Sequence, residues 1–207
     1  MAITLKTALA DSRNVGNIVS SGEPPLLMED YVWDDIMGYI LGRNFDSTRG
    51  HIDYNFDEGT VDFDDSATIT NNNDALIVEY QLPHAAFRGT GAVLRPHVHW
   101  LQENSGSPYQ KVQWRILNNG GAPTSWTDMD PANFVKLATY VSGTLCQITS
   151  FESIDISSCG LSCVVQIRIW RDGQNVLDTY GSTKVKMAFM DAHYPRAYLG
   201  SKDEFVQ

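Results

Sequence analysis

The sequence predicts an all-β protein, an antiparallel β-sandwich of jelly-roll type with an extended N-terminal arm. Short runs rich in Val, Ile, Tyr, Phe and Trp, eight or more of them, recur at fairly even spacing with no helical segments between them. Turn-forming clusters separate the runs, among them Asn104-Ser105-Gly106-Ser107-Pro108 and Asn118-Asn119-Gly120-Gly121-Ala122-Pro123. The 207 residues, 43% of them hydrophobic, suffice for one sizeable core. The chain divides into a docking arm over residues 1–45 and a sandwich domain over residues 46–207.

Residues 1–25 are small and polar, and Pro24-Pro25 blocks both helix and strand pairing, so this stretch reads as an arm held by a partner. The next segment, Leu26 to Leu41, brings Tyr31, Trp33, Ile36 and Met37 among Glu29, Asp30, Asp34 and Asp35. A short helix and an extended docking segment both fit. Acids near its start suit a helix N-terminus, while Gly38 and Gly42 keep any helix short. Pro24, Pro25, Tyr31, Trp33 and Ile36 are the expected docking residues.

His51 to Asp57 and Val61 to Phe63 alternate polar and apolar residues around Glu58-Gly59, which predicts a hairpin with one buried face. Asp53-x-Asn55-x-Asp57 also matches the first three ligand positions of a calcium loop. That loop needs glycine at its sixth position, where Glu58 stands, and glutamate at its twelfth, where Asp64 stands, so the strand reading is preferred. Further strands are expected over Ala75–Leu82, Leu94–Leu101, Lys111–Ile116, Phe134–Val141, Leu145–Phe151, Cys163–Trp170 and Lys184–Met190. Arg171-Asp172-Gly173-Gln174 reads as a tight turn, and Val185, Met187 and Phe189 as one apolar face.

With 25 acidic and 15 basic residues the net charge is -10, which opposes binding to nucleic acid, since that requires clustered cations. Met1 to Lys6 has no charged leader and apolar core, and no apolar run reaches bilayer length, so the expectation is a soluble protein made in a cytoplasm, without a membrane partner. The three cysteines, Cys146, Cys159 and Cys163, lack paired spacing and read as buried free thiols.

The chemistry-bearing stretch is Pro83 to Trp100, which holds three of the five histidines. On a strand, period-two alternation sets Arg95, His97 and His99 on one face and Val98 and Trp100 on the other. Two histidines at i and i+2 can chelate one ion. Gly91, His97-x-His99 and Glu103 match the opening of the first cupin motif, and His193 would supply the late histidine if it keeps the parity of Val185, Met187 and Phe189. Against this, Gln110 stands where that motif wants glycine, Glu103 adjoins a turn, and the second cupin motif is absent. The imidazoles would serve equally in a hydrogen-bonded polar seam. No nucleophile elbow and no phosphate-binding glycine loop is present. No cofactor is therefore expected, and His97, His99 and His193 stand only as an alternative metal set.

Taken together, Gln81-Leu82-Pro83-His84, Pro96-His97-Val98-His99-Trp100, Val112-x-Trp114, Arg171-Asp172, Asp191-Ala192-His193-Tyr194 and Gly200 to Glu204 resemble a family of virion structural proteins of tailed bacteriophages. The resemblance begins near Val32-Trp33-Asp34-Asp35 and implies a small jelly-roll, often trimeric, that decorates or stabilises the capsid or belongs to the tail, with no enzymatic step. It implies other phage structural proteins, a major capsid or tail protein, as partners, and the virion as location. In that setting His84, His97, His99, Trp100 and His193 are expected to organise the core. A third reading is receptor or glycan binding through the Asn118–Thr127 loop, where Trp126 would stack on a sugar.

Overall fold

The computed structural model describes residues 32–43, 52–64, 75–129, 135–136 and 146–196. Pro24, Pro25, Tyr31 and the arm over residues 1–31 lie outside the described residues, as does most of Phe134–Val141. No helix occurs among the described residues.

The strands are β1 (Val32–Met37), β2 (Tyr39–Arg43), β3 (Ile52–Asn55), β4 (Thr60–Phe63), β5 (Leu76–Gln81), β6 (Val93–Leu101) and β7 (Tyr109–Leu117). They continue with β8 (Thr127–Asp128), β9 (Val135–Lys136), β10 (Cys146–Ser150), β11 (Ile154–Asp155), β12 (Val164–Arg171) and β13 (Val185–Arg196). Two antiparallel sheets result. One runs β10-β6-β13-β4-β3, with β1 also on β13 and β11 also on β6; the other runs β2-β5-β12-β7-β8, with β9 also on β7. This is the all-β sandwich that the strand spacing predicts.

The core lies between the sheets. Leu76, Val78 and Tyr80 of β5, Val165, Ile167 and Ile169 of β12, and Val112 and Ile116 of β7 face Leu94, Val98 and Trp100 of β6 and Met187, Met190 and Ala192 of β13. All are buried, and each aliphatic side chain so removed from water contributes about 2 kcal/mol. The Trp100 ring is fully enclosed in this core, and its Nε1 donates to Thr149 Oγ1 at 3.2 Å.

Val32–Arg43, the inner end of the expected docking segment, is extended and pairs with its own chain. β1 lies along the C-terminal half of β13, from Val32 opposite Arg196 to Met37 opposite Asp191, and β2 then pairs with β5 in the other sheet. The crossing is at Gly38, whose N–H donates to Met190 O at 2.9 Å. A Cβ there would overlap Val78 Cγ1, so glycine lets the crossing strand lie close to the core.

The hairpin and the turn after Arg171 are as expected, and the parity of β13 is not. β3 and β4 form the expected hairpin, in which Gly59 N donates to Asn55 O at 2.8 Å and Glu58 N to Asn55 Oδ1 at 3.2 Å. Asn55 thereby shapes a turn and is no member of a calcium loop. The tight turn after Arg171 is present, with Asn175 N donating to Asp172 O at 3.1 Å, and it opens a crossover over residues 172–184, held by buried Arg171, that carries the chain from β12 to β13 in the other sheet. Finally, the register of β13 against β6 shifts between Met187 and Phe189, a β-bulge. The extra residue inverts side-chain parity, so Met190, Ala192 and Tyr194 take over the core face while Phe189 and His193 turn outward.

Candidate functional site

The bulge puts β13 residues with the wrong parity for the core onto the outer face of the first sheet, beside the outward residues of β6. Asp191 stands directly opposite His97, Phe189 opposite His99, and His193 opposite Arg95. On the far side of β13, Asp35 of β1 stands opposite His193. Pieces of sequence far apart in the chain thus form one continuous patch.

Within it, His97 Nε2 lies 2.7 Å and His99 Nε2 3.3 Å from the same oxygen, Asp191 Oδ1. Neither approach has hydrogen-bond geometry: Asp191 Oδ1 and His99 Nε2 are both buried without a hydrogen-bond partner. One nitrogen from each imidazole and one carboxylate oxygen all fall within 4.8 Å of one another, a set that could hold a metal ion. The rings are fixed by contacts. His99 stacks on Phe189 with centroids 4.0 Å apart, and His193 meets His97 edge-on at 4.8 Å. Tyr80, reaching through from the other sheet, approaches the Asp191 carbonyl at 3.5 Å, and its phenol pKa is raised by burial and by the nearby Asp191 charge.

The site differs from the expected one in three respects. His193 is not part of the converging set: its side chain is 47% exposed, and its Nε2 contacts Asp35 Oδ1 at 3.1 Å. Glu103, already set apart in the sequence by the turn it adjoins, is bound to Lys186 Nζ at 2.6 Å. The histidines also face away from the core, whereas they were expected to organise it; His97 is buried by its neighbours on the outer face. Asp191 was overlooked, although it shares the parity of His193 two residues on. His84 lies elsewhere, in the loop after β5, with its Nε2 3.3 Å from Ser162 Oγ. That loop is held by Arg88, which donates to the carbonyls of Pro83 at 2.7 Å and Ala86 at 3.1 Å, and it docks on β13 through Phe87 N to Pro195 O at 2.7 Å.

Of the expected docking residues, Trp33 carries the Arg95 guanidinium over its ring at 4.1 Å, and Ile36 packs against the core. Beside them, Asp34 Oδ2 accepts from Tyr194 Oη at 3.2 Å and Arg196 Nη1 at 2.8 Å.

The second sheet presents a different outer face. Trp126 lies over two guanidinium groups, Arg115 at 4.4 Å and Arg168 at 4.3 Å. Arg115 Nε donates to Gln166 Oε1 and Arg168 Nε to Gln113 Oε1, each at 2.6 Å, and Gln166 Nε2 donates to Glu79. Burial and then the neighbouring Arg115 lower the Arg168 pKa.

No family model and no curated protein matches this sequence. Among solved structures, the chain is similar to the xylan-binding module CBM15, with 11% identity, a TM-score of 0.33, and coverage of 80% of this chain and 98% of that one. It is also similar to the C-terminal family 22 carbohydrate binding module of Clostridium thermocellum Xyn10B, with 10% identity, a TM-score of 0.32, and coverage of 79% and 85%. A xylan-binding domain from CBM 22 gives 10% identity, a TM-score of 0.32, and coverage of 83% and 89%.

Proposed function

We propose that this chain is a structural protein of the tailed-bacteriophage virion, a homo-oligomeric sandwich that acts by burying surface against copies of itself and against a major capsid or tail protein, without catalysis. The observation that carries this reading is the exposed apolar pair Met37 and Tyr39, 65% and 71% accessible, on the segment that joins the two sheets and leads back to residues 1–31. The two flank Gly38 in the chain, and apolar surface left in water there is what a contact with a neighbouring subunit would cover. The phage resemblance implies a trimer, and closed cyclic symmetry lets identical patches meet without open-ended growth. The acidic balance, -10 overall, suits a partner other than nucleic acid. A second support is that Trp33-Asp34-Asp35, Pro96 to Trp100 and Asp191 to Tyr194, which carry the phage resemblance, lie on neighbouring strands β1, β6 and β13.

Sedimentation at micromolar concentration tests the assembly. A discrete oligomer that Met37→Asp with Tyr39→Asp dissociates is expected, together with detection of the chain in purified particles by mass spectrometry. A monomeric wild-type chain that is absent from particles sinks the proposal.

The outer face of the second sheet favours a further reading, a glycan contact. Trp126 is set as a flat platform among the hydrogen-bonding side chains of Gln113, Arg115, Gln166 and Arg168, a combination suited to stacking on and bonding to a sugar ring. Retention on immobilised polysaccharide that Trp126→Ala abolishes would establish it; equal retention of both forms would remove it.

A further inference from the structure

We infer that His97, His99 and Asp191 bind a divalent transition-metal ion that ties β6 to β13 on the outer face of the sandwich. The inference is independent of the assembly proposal.

The Asp191 carboxylate oxygen and the His99 nitrogen are buried and have no hydrogen-bond partner, yet they lie 3.3 Å apart. The protein itself satisfies neither atom, a costly state for polar groups shielded from water. A cation among the carboxylate oxygen and the two imidazole nitrogens supplies the missing partner. An ion with bonds of about 2.1 Å to nitrogen and oxygen in a tetrahedral shell holds its ligand atoms about 3.4 Å apart. The His99–Asp191 separation already matches that spacing, and His97 Nε2, at 2.7 Å, need move outward by well under 1 Å.

The donor set selects the metal class. Two imidazoles and one carboxylate suit zinc, cobalt, nickel or iron, whereas calcium and magnesium demand mostly oxygen. The backbone supports the set, since His97 and His99 are i and i+2 on one strand and Asp191 is the cross-strand partner of His97. The neighbours hold it in place: Phe189 stacks on His99, while His193 packs on His97 and is itself engaged by Asp35. Three protein donors leave at least one coordination position for water or a donor from a contacting molecule.

The test uses the full chain stripped with chelator and titrated with Zn²⁺ and Co²⁺. One ion per chain is expected, with tetrahedral or five-coordinate ligand-field bands for Co²⁺ and a Zn²⁺-dependent rise in the thermal midpoint. His97→Ala with His99→Ala is expected to weaken Zn²⁺ binding by more than the about 100-fold that loss of a residue merely buttressing a ligand already causes. Asp191→Asn is expected to weaken it too, and Val176→Ala, exposed in the crossover and outside the site, to retain it. Should the double variant not fold, imidazole nitrogen resonances in the wild-type chain decide, with Zn²⁺ shifting those of His97 and His99 and leaving those of His84 in place. A wild-type chain that takes up no ion at millimolar Zn²⁺, a His97/His99 double variant that binds as tightly as wild type, or resonance shifts confined to other histidines would overturn the inference.

Discussion

Arg171 and Asp178 form a two-pronged ion pair, Nε to Oδ2 and Nη2 to Oδ1 both at 2.8 Å, with side chains 1% and 0% exposed. Arg171 also donates to Thr183 O at 2.8 Å and Gly181 O at 2.7 Å, and Asp178 Oδ2 accepts from Tyr109 N at 3.1 Å. One guanidinium thus organises the crossover that carries the chain from the second sheet to the first, donating four hydrogen bonds to it.

Removing one member of this pair leaves the other charge buried and uncompensated. Asp178→Asn and Arg171→Met are each expected to lower stability by about 3–5 kcal/mol in chemical denaturation. A loss below about 1 kcal/mol for both would show that the crossover does not depend on the pair.

Gly38 is expected to refuse a side chain. A Cβ at this position would overlap Val78 Cγ1 and come within 3.0 Å of the Tyr80 ring, both parts of the packed core. Gly38→Ala should cost about 1–3 kcal/mol through overpacking. Adding Val78→Ala to make room should recover part of that loss in a double-mutant cycle; strict additivity of the two losses would contradict the contact.

Stability is expected to fall as pH rises above 10. Burial is the leading cause that raises the Tyr80, Tyr180 and Tyr194 phenol pKa values above the ordinary 10.0, and hydrogen bonds to Glu103 and Glu58 raise that of Lys186. In each case the folded state holds its proton more tightly than the unfolded chain. The stabilisation is therefore complete below the unfolded pKa and is lost as the unfolded chain begins to release protons. Thermal midpoints measured from pH 8 to about 12 should be level and then decline, and Tyr80→Phe should decline less steeply.

Thiol reactivity should separate the cysteines. Cys146 is exposed on the edge strand β10, whereas Cys159 and Cys163 are buried with their sulfur atoms 2.9 Å apart. A thiol reagent is expected to modify Cys146 in the folded chain and the other two only after unfolding, as peptide mapping would show. Rapid labelling of Cys159 in the native state would contradict the packing of the loop before β12.

Much of the fold was readable because strand signals are local. The run from Val93 to Leu101 alternates as a strand must, so His97 and His99 could be set on one face and Val98 and Trp100 on the other without knowing their neighbours, but not which face meets the core. The cysteines show the limit of such reasoning. Composition favours burial for all three, but Cys146 lies outward on an edge strand, and nothing next to it in sequence says so.

What the sequence determined by itself was the all-β class, most strand positions, the shared face of His97 and His99, and the poor match of Glu103 to a metal motif. Tertiary structure decided the partner. A single extra residue near Ala188 inverts the parity of the rest of β13, sending Phe189 and His193 outward and bringing Asp191 opposite His97. Register and bulges are fixed by pairing between strands about ninety residues apart, where the burial of Met190, Ala192 and Tyr194 outweighs strict alternation. Alternation along one strand therefore finds the histidines, and only the pairing of two strands supplies the carboxylate that faces them.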